Sequence, residues 1–177
     1  MIIVNMAERN RSRRSTHSHH GRRTPSGVSR SFREQDDFRC LHCHAHVSVD
    51  HRLSGVQNRN HCPYCLWSRH VDLHKAGDRQ AECQGSMEPV GLTLKSTRKR
   101  YPSPMSGELM LIHRCTACGK ISINRVAADD DARLIQQVFE ASQAMAQSLR
   151  LQLEQQGIYP LGAAEAEIVS IRLFGKR

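Results

Sequence analysis

Seven cysteines, all between residues 40 and 118, constrain this 177-residue chain more than any other feature. Cys40 and Cys43 are separated by two residues; eighteen residues later Cys62 and Cys65 repeat that spacing. Two cysteines so spaced can turn both sulfurs onto one ion, and two such pairs complete the four-coordinate tetrahedron that zinc accepts. Pro63, inside the second pair, fixes one backbone dihedral and removes a donor from the turn. A first, all-cysteine site at Cys40, Cys43, Cys62 and Cys65 is therefore expected. Four thiolates leave no open position, which marks a structural ion rather than a catalytic one.

Cys83, Cys115 and Cys118 remain. Cys115-Thr116-Ala117-Cys118-Gly119 is a third pair, followed by a glycine free to take a left-handed turn. Cys83 supplies a third thiolate, and histidine is the natural fourth ligand of a second zinc site with three cysteines. His70 is favoured because the loop to Cys83 is long enough to return; His113 comes second, and His74 and His61 stay open. His61 abuts Cys62 and is expected to be drawn toward the first site. A second site that no histidine closed would make metal catalysis worth considering. Cys40-Leu41-His42-Cys43-His44 also fits the c-type haem attachment pattern, but that chemistry needs an export route and competes with the second pair for the same thiols.

Formal charge is +9, and the first 33 residues carry eight Arg against one Glu. This stretch lacks apolar periodicity and is rich in Ser, Gly and Arg, so residues 1–37 read as a disordered basic arm. Arg11, Arg13, Arg14, Arg22 and Arg23 are its candidate polyanion contacts. Its Arg- and Ser-rich, acid-poor character also fits an organelle transit peptide. No apolar run reaches membrane-spanning length, so no membrane partner is expected. Cysteines held as metal thiolates point to a reducing compartment, the cytoplasm.

Across residues 38–128 the apolar residues alternate in short bursts, as at Leu92 and Leu94 or Ile121 and Ile123, which predicts short strands. Between two of them lies a polar loop with Arg98, Lys99 and Arg100, the best phosphate-contact candidate in this region. Residues 129–157 change period. Asp129 to Asp131 offer a helix cap, and Leu134, Ile135, Val138, Phe139, Met145, Leu149 and Leu153 recur at threes and fours. One long amphipathic helix is predicted there, ended by Gly157 and Pro160. It is expected to pack on the cysteine-bearing region, or to serve residues 131–156 as a protein-binding or self-association face. Val169, Ile171 and Leu173 alternate and predict a closing strand. The expected fold is a small, zinc-dominated α+β structure: tandem zinc ribbons with short strands, then a long helix and a C-terminal strand.

Several strings of the chain resemble one family. RNHCP at Arg59–Pro63 looks like the signature of the RNHCP domain, a small bacterial zinc-ribbon-like family. The likeness continues through CLWSRHVD (Cys65–Asp72), GDR (Gly77–Arg79), MEPVG (Met87–Gly91), HRCTACGK (His113–Lys120) and NRVAADD (Asn124–Asp130). It covers about residues 38–131 and implies metal ligands at the matching cysteines, with no reaction to carry over. His44 stands where the family pattern would place Gly.

The remaining polar residues admit two readings. Arg59, Arg69, Arg79, Arg114 and Arg125 suit phosphate. Those beside the ligands, with Asn60 and Asn124, more often hydrogen-bond the ligand shell itself. Trp67 reads as a plug for a small core. Tyr64, at a knuckle tip, is expected to be exposed and able to stack on a base. No nucleophile elbow, Gly-rich phosphate loop or demanding acid–base spacing appears. The function expected is a nonenzymatic, zinc-stabilised nucleic-acid-binding module, with RNA, ribosomal or ribonucleoprotein, ahead of DNA. A DNA-binding or transcription-associated ribbon and a metalloenzyme with an open second site are the alternatives.

Overall fold

A computed structural model describes residues 37–95 and 107–175. The basic arm with Arg11, Arg13, Arg14, Arg22 and Arg23, and the cluster Arg98, Lys99 and Arg100, lie outside the described residues. The elements run β1 (Phe38–Arg39), β2 (His46–Val47), α1 (His51–Ser54), β3 (Ser68–Arg69), β4 (Ser86–Lys95), β5 (Glu108–Cys115), β6 (Ile121–Arg125), α2 (Ala132–Ser142), α3 (Gln147–Gln155) and α4 (Ala166–Phe174). β1 and β2 pair in a small antiparallel sheet, and β3-β4-β5-β6 form a four-stranded antiparallel sheet in that order.

The alternation in β5 divides the large sheet's apolar residues between two faces. Leu109 and Leu111 join Leu66, Leu92, Ile135, Phe139, Leu161 and Val169 in the main core. Ile112, one residue on, packs instead with Ile121 and Leu153, alongside Val90, Ile123 and Ile158. The register of β4 against β5 slips between Pro89 and Gly91, which turns Val90 toward the second cluster while Leu92 serves the first.

That two-faced sheet breaks the long helix expected over 129–157. Ile135 and Phe139 of α2 bury on one face and Leu153 of α3 on the other, so the chain must cross the edge of β4 between them. Ser142 closes α2 with its hydroxyl donating to the Phe139 carbonyl at 2.6 Å, and the next amides reach back only three residues. Ala146 then enters α3 in an extended conformation. The crossing passes Gly91, where a Cβ would lie 3.3 Å from both Ser142 Cβ and Met145 Cε. The apolar stripe is continuous in sequence because each helix needs one, not because they share a face.

The expected C-terminal strand is also corrected: residues 166–174 are helical. Val169 and Leu173 are four apart as well as alternate, and both pack on the main core. The Ala-Ala-Glu-Ala-Glu lead-in favours helix. A return crossing brings the chain from α3 to α4 over the same β4 edge, where the Leu161 amide donates to the Leu92 carbonyl at 2.8 Å and Thr93 Oγ1 donates to the Tyr159 carbonyl at 2.8 Å. An edge that would otherwise be free to pair with another chain is thereby covered.

Opposite faces of α3 should respond differently to truncation. Leu153 is fully buried and Leu151 is 48% exposed. Leu153→Ala is expected to cost about 2–5 kcal/mol in urea unfolding at fixed zinc. Leu151→Ala is expected to change stability by less than about 0.5 kcal/mol. Equal losses would contradict this placement of α3.

Candidate metal centres

Three C-x-x-C turns are built to one pattern. Cys40, Cys62 and Cys115 each donate their amide to the carbonyl five residues on (Ala45, Trp67, Lys120), and each accepts at its own carbonyl from the amide four residues on (His44, Leu66, Gly119). That closing residue has φ of +62° at His44, +62° at Leu66 and +75° at Gly119. Only the third is the residue the conformation favours. A non-glycine there costs about 1–2 kcal/mol. For Leu66 the cost is offset by burial, since fully burying a leucine side chain contributes about 1.5–3 kcal/mol. His44 is exposed and takes the same turn.

The first two turns bring Cys40, Cys43, Cys62 and Cys65 together with all four sulfurs within 4.8 Å of one another. The Cys40–Cys65 and Cys43–Cys62 sulfur pairs lie 3.6 Å apart. A tetrahedral ion with zinc–sulfur bonds of about 2.3 Å sets its sulfurs about 3.8 Å apart, so the cluster has the size of a zinc tetrathiolate. Around it the apolar content is small: Val47 is buried, with Phe38 and Ala45 partly so. Burial pushes the Cys62 thiol up to about 11 and raises Cys65 as well. Without a cation Cys62 and Cys65 favour the neutral thiol, while at Cys43 burial is outweighed by hydrogen bonds from the Ala45 amide and the neighbouring sulfurs, which lower it; a divalent ion among them supplies the charge that stabilises thiolates.

The third turn joins a second group. His70 and the sulfurs of Cys83, Cys115 and Cys118 also converge within 4.8 Å, with His70 Nδ1 3.3 Å from Cys118 Sγ and the Cys83 and Cys115 sulfurs 3.7 Å apart. A loop from 71 to 85 returns Cys83 to His70. Asp78 shapes it by accepting from the amides of Leu73, His74, Lys75 and Gln80, which hold its carboxyl well below the usual range. The His70 amide closes it by donating to the Gly85 carbonyl at 2.9 Å.

The other histidines weighed for this position have different surroundings. His74 is exposed and stands outside the group. His113 is fully buried; its Nε2 donates to the Leu66 carbonyl at 2.7 Å, and its Nδ1 accepts from Asn124 Nδ2 at 2.9 Å. Burial, reinforced by the nearby His61 ring, pushes His113 down to about 3, so the imidazole is neutral. His61 turns away from both sulfur groups and places Nε2 2.8 Å from Asp130 Oδ2.

Around His61 lies the contact that joins the first cysteine cluster to the helical core. The Arg59 side chain is 1% exposed and that of Asp130 0%. The guanidinium grips Asp129 through two bonds of 2.7 Å, reaches Asp130 Oδ1 at 3.2 Å and donates through Nε to the His61 carbonyl at 3.2 Å. Asp130 also accepts from the Ala127 amide at 2.7 Å. Asn60 and Asp72 hold the 71–85 loop: Asn60 Nδ2 donates to Asp72 Oδ2 at 2.8 Å, and Arg79 donates to Asn60 Oδ1. Arg59, Asn60, Asn124 and Arg79 are thus committed to bonds within the protein.

The sequence groups Asp129, Asp130 and Asp131 as one helix cap. Only Asp131 does that work, accepting from the amides of Arg133 and Leu134. The signal for the other two is that RNHCP and NRVAADD are both charged strings flanking ligand turns. Their pairing across 70 residues is visible only in space. Trp67 is half-buried and stacks on His42, with ring centroids 4.2 Å apart. Tyr64 projects from the second turn, 64% exposed. Arg69 and Arg114 are exposed, and Arg125 pairs with Glu108 at 3.1 Å.

Removing Arg59 leaves the Asp130 carboxylate buried with fewer partners. Arg59→Met is expected to destabilise the protein by about 3–5 kcal/mol in denaturant unfolding at saturating zinc. A loss below about 1 kcal/mol would show that the buried pair does not tie the two parts together.

Among curated proteins and among solved structures nothing matches the chain. The model of the RNHCP domain matches residues 35–136, a span that holds both cysteine clusters and the Arg59–Asp130 contact, and the chain belongs to the RNHCP domain family.

Proposed function

We propose that the protein is a nonenzymatic binding module built on two structural zinc ions, and that its partner is nucleic acid, with RNA ahead of DNA. The observation that carries this reading is the pair of four-ligand sets, Cys40, Cys43, Cys62, Cys65 and His70, Cys83, Cys115, Cys118. Each fills a tetrahedron with protein donors, which is the arrangement of ions that hold structure rather than activate water.

Attraction to a polyanion follows from the formal charge of +9, concentrated in the first 33 residues with eight Arg. Among the described residues, the contacts that remain for a partner are those not used internally. Tyr64 presents an aromatic face from a rigid turn and Arg114 is exposed, whereas Arg69, also exposed, donates its Nε to the Gln84 carbonyl at 3.4 Å. Arg59, the first residue of the signature string, is buried and unavailable to phosphate. Unpaired bases splayed on an aromatic tip favour RNA loops over duplex DNA. Among the described residues no helix is long and apolar enough to cross a membrane.

Competition binding at defined salt tests this reading. Structured RNA with single-stranded loops is expected to compete better than duplex DNA, and Tyr64→Ala to weaken RNA binding by about 1–3 kcal/mol. Deleting residues 1–33 is expected to flatten the salt dependence without changing the fold. Preference for duplex DNA would favour a transcription-associated ribbon, and an unchanged salt slope would remove the arm from the interface.

A further inference from the structure

The two cysteine clusters are not equally protected. In the first, Cys40 and Cys62 are buried, Cys65 is half-buried and only Cys43 is exposed. In the second, Cys83 and Cys118 are both exposed, leaving Cys115 and His70 inside. Gly85 leaves room beside the cluster, because a Cβ at that position would stand 3.0 Å from Cys115 Sγ and 3.3 Å from Cys83 Sγ. Backbone freedom differs too. All four ligands of the first cluster belong to C-x-x-C turns, whereas Cys83 sits on the irregular segment between Gln80 and Gly85.

His70 adds an independent weakness. It turns Nδ1 to the cluster, and its buried Nε2 has no hydrogen-bond partner among the described residues. A ligating histidine ordinarily donates that second N–H to a carboxylate or carbonyl, and losing such a partner lowers metal affinity about 10–100-fold.

We infer that the second cluster is an oxidation site, at which a hydroperoxide converts Cys83 and Cys118 to a disulfide and expels zinc while the first cluster keeps its ion. The inference rests on the reading that both clusters hold zinc. One exposed thiolate attacks the peroxide O–O bond, forms a sulfenic acid and releases water or alcohol. The other thiolate then attacks that sulfur, forms the S–S bond and expels hydroxide, which is protonated to water. Two protons are taken up, the two sulfurs lose two electrons and the peroxide gains two. The sulfurs start within 4.8 Å and close to about 2.05 Å, a movement the Cys83 segment can supply. Zinc is left with His70 and Cys115 alone and dissociates. Asp72 and Asp78 still hold the 71–85 loop, so the sheet and the first cluster stay folded.

The test uses full-length wild-type protein carrying a measured two zinc ions per chain; a preparation that cannot be loaded to two refutes the reading beneath, not the inference. One equivalent of hydrogen peroxide is added with a chromogenic zinc chelator, free thiols are alkylated, and the disulfide is mapped by mass spectrometry. The expected result is release of one zinc per chain, a Cys83–Cys118 disulfide, retained far-UV circular dichroism, and reversal by dithiothreitol with zinc. A disulfide among Cys40, Cys43, Cys62 and Cys65, simultaneous loss of both ions, or no release would each overturn it.

Discussion

Everything in this structure depends on four sulfurs being held where sulfurs do not otherwise gather. Cys40, Cys43, Cys62 and Cys65 converge from two turns whose closing residues, His44 and Leu66, both occupy left-handed backbone. In the apolar cluster formed with Cys40 and Cys62, Val47 is the one buried aliphatic residue, since Leu66 joins the main core instead. Burying one valine contributes roughly 1.5–3 kcal/mol, far short of the cost of ordering the surrounding chain at about 1–2 kcal/mol per residue. The deficit is of the size that metal ligation fills, since binding energy at a site absent from the unfolded chain is folding energy.

The clamp is then transmitted to the larger core by two devices. Leu66 follows the second turn directly, so the residue that completes the ligand loop also plugs the space between the sheet, α2 and α4. Arg59 and His61, just before that turn, reach the Asp129-Asp130 pair that leads into α2. A buried ion pair of this kind is expensive to desolvate and is only worthwhile when every group is bonded. Arg59 meets that condition through Asp129, Asp130 and the His61 carbonyl. The signature pentapeptide is therefore a joint: its Cys faces the sulfur cluster, its Arg and His face the helix, and its Asn holds the loop that carries Cys83 back to His70.

Much of the site was legible because metal ligation imposes short, fixed spacings. The C-x-x-C pairs are local, and the missing fourth donor could be sought among few histidines; the structure sets His70 beside Cys118 and binds His113 and His61 elsewhere. The helical part was harder to read. Residues 129–157 carry an unbroken apolar period, yet nothing local records that Phe139 and Leu153 serve opposite faces of one sheet. The interruption at 143–146 comes from the need to pass the β4 edge beside Gly91. Over 166–174, three alternating apolar residues fit strand and helix alike, and packing of Val169 and Leu173 on the main core decides for helix.

Metal analysis of the purified native chain, followed by chelation monitored through far-UV circular dichroism and backbone amide exchange, tests the central claim most directly. Two zinc ions per chain are predicted, with removal of the ion at Cys40, Cys43, Cys62 and Cys65 abolishing protection across residues 38–72. A chain that is isolated without bound metal, and that keeps its protected amides in strong chelator, would contradict the account.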